Sequence, residues 1–127
     1  MKYLLDTDII IDHFRERKIL SEDFLVSGAG ISIITLGELI YGAYKSDNPE
    51  RSLQKLENSL KILKLEIINL SFEIVSEFSR IKAELEKLGK RLEDFDLLIA
   101  ATAKVNSFIL VTGNKKHFER IPGLKLD

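Results

Sequence analysis

Apolar residues recur along the chain in two rhythms. Tyr3-Leu4-Leu5 and Phe108 to Val111 are short unbroken runs, suited to strands buried on both faces of a parallel sheet. Elsewhere the apolar positions fall three and four apart. Ile74, Phe78, Ile81, Leu85 and Leu88 predict a long amphipathic helix opened by Ser71 and stopped by Gly89. Leu53, Leu56, Leu60 and Leu63 predict another, with Asn48 as its cap and Pro49 at its first position. Ile9 to Phe14 reads as a short helix, Ser21 to Leu25 as a helical turn, and Gly28-Ala29-Gly30 as a turn. Ile31, Ile33 and Ile34 predict a second strand, Leu65 to Leu70 a third, and Leu124 to Leu126 a last short one. Arg91 to Ala103 predicts a helix capped by Asp94, with Leu98, Ile99 and Thr102 packing below. Strands alternating with helices predict an α/β fold.

Acids stand at the ends of these strands. Asp6 follows the first strand, where open α/β sheets bind their ligands, and a buried acid there is costly unless paired, hydrogen-bonded or metal-bound. Thr35-x-x-Glu38 has two readings, a capping box or a cation ligand on the first helical turn, and its spacing alone leaves both open. Asp94 and Asp96 suit the positive end of a helix, so either is also explained by local structure. Asn114 follows the fourth strand. In a parallel sheet all these positions share one edge. Several acids on one edge of so small a domain imply a cation, and oxygen ligands without Cys or His select Mg²⁺, with Mn²⁺ as a substitute. Such an ion binds phosphate oxygens and activates water.

Composition narrows the classes further. The 127 residues suit one compact domain, residues 1–127, with no linker or repeat. The net charge of −1 announces no nucleic-acid surface, though a bound metal and local lysines could supply positive charge. The absence of cysteine removes disulfides, zinc–thiolate sites and thiol nucleophiles. Asp6, Asp8 and Asp12 interrupt the N-terminal apolar run, which excludes a signal peptide, and no run is long enough to span a membrane. The expected location is cytoplasmic.

Four segments together resemble the PIN domains of VapC-type toxins: LLDTD at 4–8, ISIITLGEL at 31–39, DFDLLIAATA at 94–103 and LVTGNKKHF at 110–118. They span almost the whole chain. The resemblance implies a PIN-like three-layer sandwich, a central parallel β-sheet with helices on both faces. It implies an Mg²⁺-dependent endoribonuclease, the toxin of a toxin–antitoxin pair. Position by position, Asp6, Glu38 and Asp96 match the family's metal-holding acids, which moves Glu38 from cap to ligand. Asn114 stands where many relatives have a fourth acid, which argues against a full two-metal site, and Asp94 could compensate. Thr7 and Thr112 match small hydroxyl positions that hydrogen-bond the acids. Lys115, Lys116 and Arg120, just past the site, are candidate RNA-phosphate contacts. His13 and His117 match no family acid and read as surface or packing residues. The resemblance also implies a homodimer and a VapB-like antitoxin whose basic segment occupies the acidic groove. The apolar residues from Leu36 to Tyr44 suit such contacts.

Two rival readings remain. An inactive PIN-like module that only binds a partner is favoured by the uncharged Asn114. A phosphatase with an aspartate nucleophile is suggested by LLDTDII, but Ile10 stands where that loop needs Thr or Val.

Overall fold

The computed structural model describes residues 2–127. Its centre is a four-stranded sheet in the order β3-β2-β1-β4, every neighbouring pair parallel. The strands are β1 (Tyr3–Leu5), β2 (Ala29–Ser32), β3 (Glu66–Ile68) and β4 (Ile109–Val111). Connections are made by α1 (Thr7–Phe14), α2 (Glu22–Val26), α3 (Ile33–Tyr44), α4 (Pro49–Leu63), α5 (Phe72–Lys87) and α6 (Asp94–Val105). A single turn, α7 (Lys115–Phe118), follows β4. No helix among the described residues is long and apolar enough to cross a membrane.

Neighbouring leucines explain why β1 is apolar throughout. Leu4 packs with Ile81, Leu85, Leu97, Ile99 and Phe118 beneath α5 and α6, whereas Leu5 packs with Ile10, Leu39 and Leu56 beneath α1, α3 and α4. Successive side chains of a strand point to opposite faces, so both faces of β1 require an apolar residue. On β4, Leu110 and Val111 divide in the same way. Ala100, Ala101 and Ala103 are fully buried along α6, and these small side chains let it lie close against the sheet and α5.

The second strand begins and ends earlier than the apolar pattern predicts. Gly28 makes the turn at φ 91°, and Gly30 already pairs with Leu4 and Glu66. Ser32 ends the strand and caps α3 by accepting a hydrogen bond from the Ile34 amide. Ile33 and Ile34 therefore belong to the helix. Thr35 is fully buried inside the first turn of α3 and is not its cap, so the capping box does not form. Leu88 is 66% exposed, because α5 ends at Lys87 and Leu85 is the last residue of its buried stripe. Gly89, at φ 68°, takes the left-handed position that ends the helix. The last predicted strand reduces to one parallel bridge from Leu126 to Leu110.

Leu4→Ala empties a fully buried position under β1. The expected loss is about 2–5 kcal/mol, read as a lower urea midpoint at unchanged slope. A midpoint equal to that of the wild type would contradict this account of the core.

Candidate active site

Asp6 is the first residue beyond β1 and caps α1, with its Oδ1 accepting from the Thr7 amide at 2.8 Å. Its Oδ2 accepts from the Thr112 hydroxyl at 2.8 Å, a bond that joins the ends of the adjacent strands β1 and β4. The Asp6 backbone amide donates to the Val111 carbonyl at the same place. The Asn114 amide in turn donates to Thr112 Oγ1 at 3.0 Å, which fixes the loop carrying that hydroxyl.

Thr7 links this edge to α3. Its hydroxyl lies 2.7 Å from Glu38 Oε1 and 3.2 Å from the hydroxyl of buried Thr35. Glu38 is thus steered by a side chain adjacent to Asp6. Asp96 lies in the first turn of α6, half-buried, with its Oδ2 3.8 Å from His117 Nδ1. His117 also lies 3.3 Å from the Asn114 side-chain amide, so α7 reaches the same edge.

Asp8 was not singled out by its spacing, yet it borders both acids. Its Oδ2 accepts from the Gly113 amide at 3.1 Å, and its Oδ1 is buried with no hydrogen-bond partner. Gly113 lets Asp8 approach this closely, since a Cβ on it would lie 2.7 Å from Asp8 Oδ2 and push that carboxylate aside. The signal in the sequence was the second acid of Asp-Thr-Asp. His117 was likewise missed, because its contact with Asp96 depends on where α7 turns.

Asp94 is not part of this group. It is the first residue of α6, Glu93 occupies the cap position without a side-chain hydrogen bond, and Asp94 pairs with Lys82 of α5 at 3.0 Å. The basic residues beyond the site diverge. Lys115 and Lys116 are exposed, Lys115 lines a pocket with Asp12, Thr112 and Asp127, and Arg120 donates to the Arg91 carbonyl at 3.1 Å.

Crowded negative charge dominates the electrostatics. Burial, followed by repulsion from Asp8 and Asp96, pushes the Asp6 carboxyl up to about 6, against the opposing hydrogen bonds from Thr112 and Thr7. Burial also raises Asp96, aided by Glu38, Glu93 and Asp8 and opposed by His117. Among the described residues, no three acids or histidines stand in ligating geometry around one point. The donor set nevertheless fits a hard cation. It is all oxygen, it is short of positive charge, and it includes the orphaned Asp8 Oδ1.

Residues 3–124 match the PIN domain family. The chain is 38% identical to "Ribonuclease VapC2" of Haemophilus influenzae, over all of this chain and 97% of that protein. It is 37% identical to the "tRNA(fMet)-specific endonuclease VapC" of Salmonella typhimurium, again over 100% and 97% of the two chains. The structure superimposes on VapBC2 from Rickettsia felis bound to a promoter DNA fragment, with TM-score 0.89 and 35% identity over 100% of this chain and 98% of that one. The chain belongs to the PIN-domain family. Within that family it is of the VapC type, and this membership removes the phosphatase reading.

Asp6 gives the site a stability signature. A carboxyl raised in the folded state holds its proton more tightly there, so stability is greatest below the unfolded pKa near 4 and falls as pH rises through about 6. In chelator-treated protein, Asp6→Asn is expected to raise stability at pH 8 by on the order of 3 kcal/mol and to change it little at pH 4. Calorimetric melting at the two pH values tests this. A destabilised variant at pH 8 would refute it.

Proposed function

We propose that the protein is a metal-dependent endoribonuclease, the toxin of a VapB-like antitoxin, with residues 1–127 acting as one PIN unit. The reading is carried by one observation, the crowding of Asp6, Asp8, Asp96 and Glu38 at the carboxyl edge of the sheet with too little positive charge. Asp6, Glu38 and Asp96 would hold the ion, Mg²⁺ with Mn²⁺ as a substitute. When bound, the ion supplies a water acidic enough to attack phosphorus and a counter-charge for the phosphate oxygens.

The protein's own groups prepare that chemistry. The Thr7 amide and the Thr112 hydroxyl fix both oxygens of Asp6, and the Thr7 hydroxyl turns Glu38 toward it. Asn114, on the same edge, carries an amide oxygen able to orient a water, while its uncharged group favours a single ion. Lys115, Lys116 and Arg120 are the phosphate contacts this reading expects beyond the site. The antitoxin partner accords with the VapBC complexes among the similar structures, and a homodimer is the expected assembly.

An inactive binding module is the second reading, favoured by Asn114 and by the absence of three acids in ligating geometry among the described residues. Cleavage of a mixed RNA pool separates the two. Antitoxin-free wild type is expected to cut in Mg²⁺ or Mn²⁺ and to stop in EDTA. Thr112→Val should lose about 10–100-fold, as for an outer-shell partner, and Asp6→Asn and Asp96→Asn should lose more. Unchanged folding would accompany these losses. Equal cleavage by wild type and Asp6→Asn would expose a contaminating nuclease and defeat the proposal. Light scattering should give a dimer, and a monomer at every concentration would defeat that part.

A further inference from the structure

Asp8 carries a charge that nothing else in the protein answers. Its Oδ1 is the one buried side-chain nitrogen or oxygen without a hydrogen-bond partner among the described residues. Asp8 forms no ion pair among them either. A buried oxygen left unpaired keeps the full cost of leaving water, and the cost is greater for a charged group. Of the two acids that repel the Asp6 carboxylate, Asp8 acts more strongly than Asp96. The orphaned oxygen therefore belongs to the most crowded part of the edge.

The other half of the carboxylate is held firmly. Oδ2 accepts from the Gly113 amide at 3.1 Å, and a Cβ on Gly113 would lie 2.7 Å from Oδ2 and 3.7 Å from the Asp8 Cγ. At Gly37, Gly42 and Gly89 an added Cβ would meet nothing within 4 Å. The close approach is thus particular to Asp8. Local structure does not account for it. The first turn of α1 suits an acid, which explains a negative residue at this position but not an unpartnered oxygen buried beside Asp6. The bond to Gly113 needs no charge, since an asparagine oxygen would accept it and spare the edge one carboxylate. A water would satisfy Oδ1 but leave the repulsion in place. A hard cation answers both.

We propose that Asp8 is a fourth carboxylate of the metal site, offering Oδ1 to the ion while Oδ2 stays anchored on Gly113. The inference rests on the metal-dependent reading above. Asp8 then supplies from α1 a negative charge that Asn114, next to Gly113 in the loop after β4, does not carry. The anchored oxygen restricts the side chain before any ion arrives, so less freedom is lost on binding. Asp6 and Asp8 also flank Thr7, whose amide holds Asp6 and whose hydroxyl holds Glu38. One turn of chain therefore sets three of the four acids.

The test is calorimetric titration with Mn²⁺ of chelator-treated, antitoxin-free protein, with no RNA present. Asp8→Asn keeps an acceptor for Gly113 and removes the charge. It is expected to weaken Mn²⁺ binding at least about tenfold. In EDTA at neutral pH it should melt no lower than wild type. Asp12→Asn removes the same charge one turn further along α1 and should leave the affinity unchanged. Gly113→Ala adds no charge but displaces the Asp8 carboxylate, so it should weaken Mn²⁺ binding too, and no further in the Asp8→Asn background. Wild-type affinity in Asp8→Asn or in Gly113→Ala overturns the proposal while the metal reading survives. An equal loss in Asp12→Asn overturns it as well, because the effect would then belong to the charge of the edge in general. Weakened binding together with a lower melting temperature in EDTA reduces Asp8 to a tether for the loop and also overturns it. Absence of Mn²⁺ binding by wild type defeats the metal reading itself, and this inference with it.

Discussion

The site depends on one arrangement, a carboxylate held almost out of water at the end of the most central apolar strand. Asp6 is 7% exposed, and both of its oxygens are hydrogen-bonded, to the Thr7 amide and to the Thr112 hydroxyl. Neither bond neutralises its charge. The bonds lower the cost of burial without removing it, which is why the carboxyl remains raised beside Asp8 and Asp96. The surrounding geometry follows from those two bonds. The first starts α1 at Thr7 and aims that hydroxyl at Glu38, and the second ties the end of β4 to the end of β1.

Much of this was legible because strong local rules and the tertiary fold agree. Unbroken apolar runs at Tyr3-Leu4-Leu5 and Phe108 to Val111 identified β1 and β4, and Asn48-Pro49 identified the start of α4. The reading failed where one apolar run crosses an element boundary. Ile31 lies in a strand and Ile33 begins a helix, yet nothing in their hydrophobicity separates them, and Ser32 between them is the actual cap. Asp94 failed for a related reason. Its spacing suits a cap or an acid at the site, but the side chain pairs with Lys82 on a helix that no local pattern brings near. Asp8 and His117 escaped because their significance lies in contacts with Gly113 and Asp96, about a hundred and about twenty residues away.

The two hydrophobic clusters explain how so small a fold tolerates this charge. β1 and β4 each place one buried residue in each cluster, so the carboxyl edge around Asp6 and Thr112 is anchored from both faces of the sheet. Thr35 and Thr112 are buried but make hydrogen bonds on the site side, so the polar network begins directly where the core ends. The acids therefore have little freedom to move apart and relieve their repulsion. A close-packed interior transmits that constraint better than a loop would.

The unrelieved repulsion couples the site's possible ligands. Whatever places positive charge among Asp6, Asp8 and Asp96 lowers the same electrostatic energy, whether it is a metal ion or a basic side chain from a partner protein. Two such ligands cannot both collect that energy in full, so each weakens binding of the other. RNA stands in the opposite relation, because its phosphates add negative charge to an edge already short of cations. A metal ion should favour RNA at this edge, while a basic partner segment in the ion's place would neutralise the acids and deny the phosphate its counter-ion. A metal that activates and a basic segment that silences would then need no separate regulatory site. Both act on the charge that folding leaves uncompensated around Asp6.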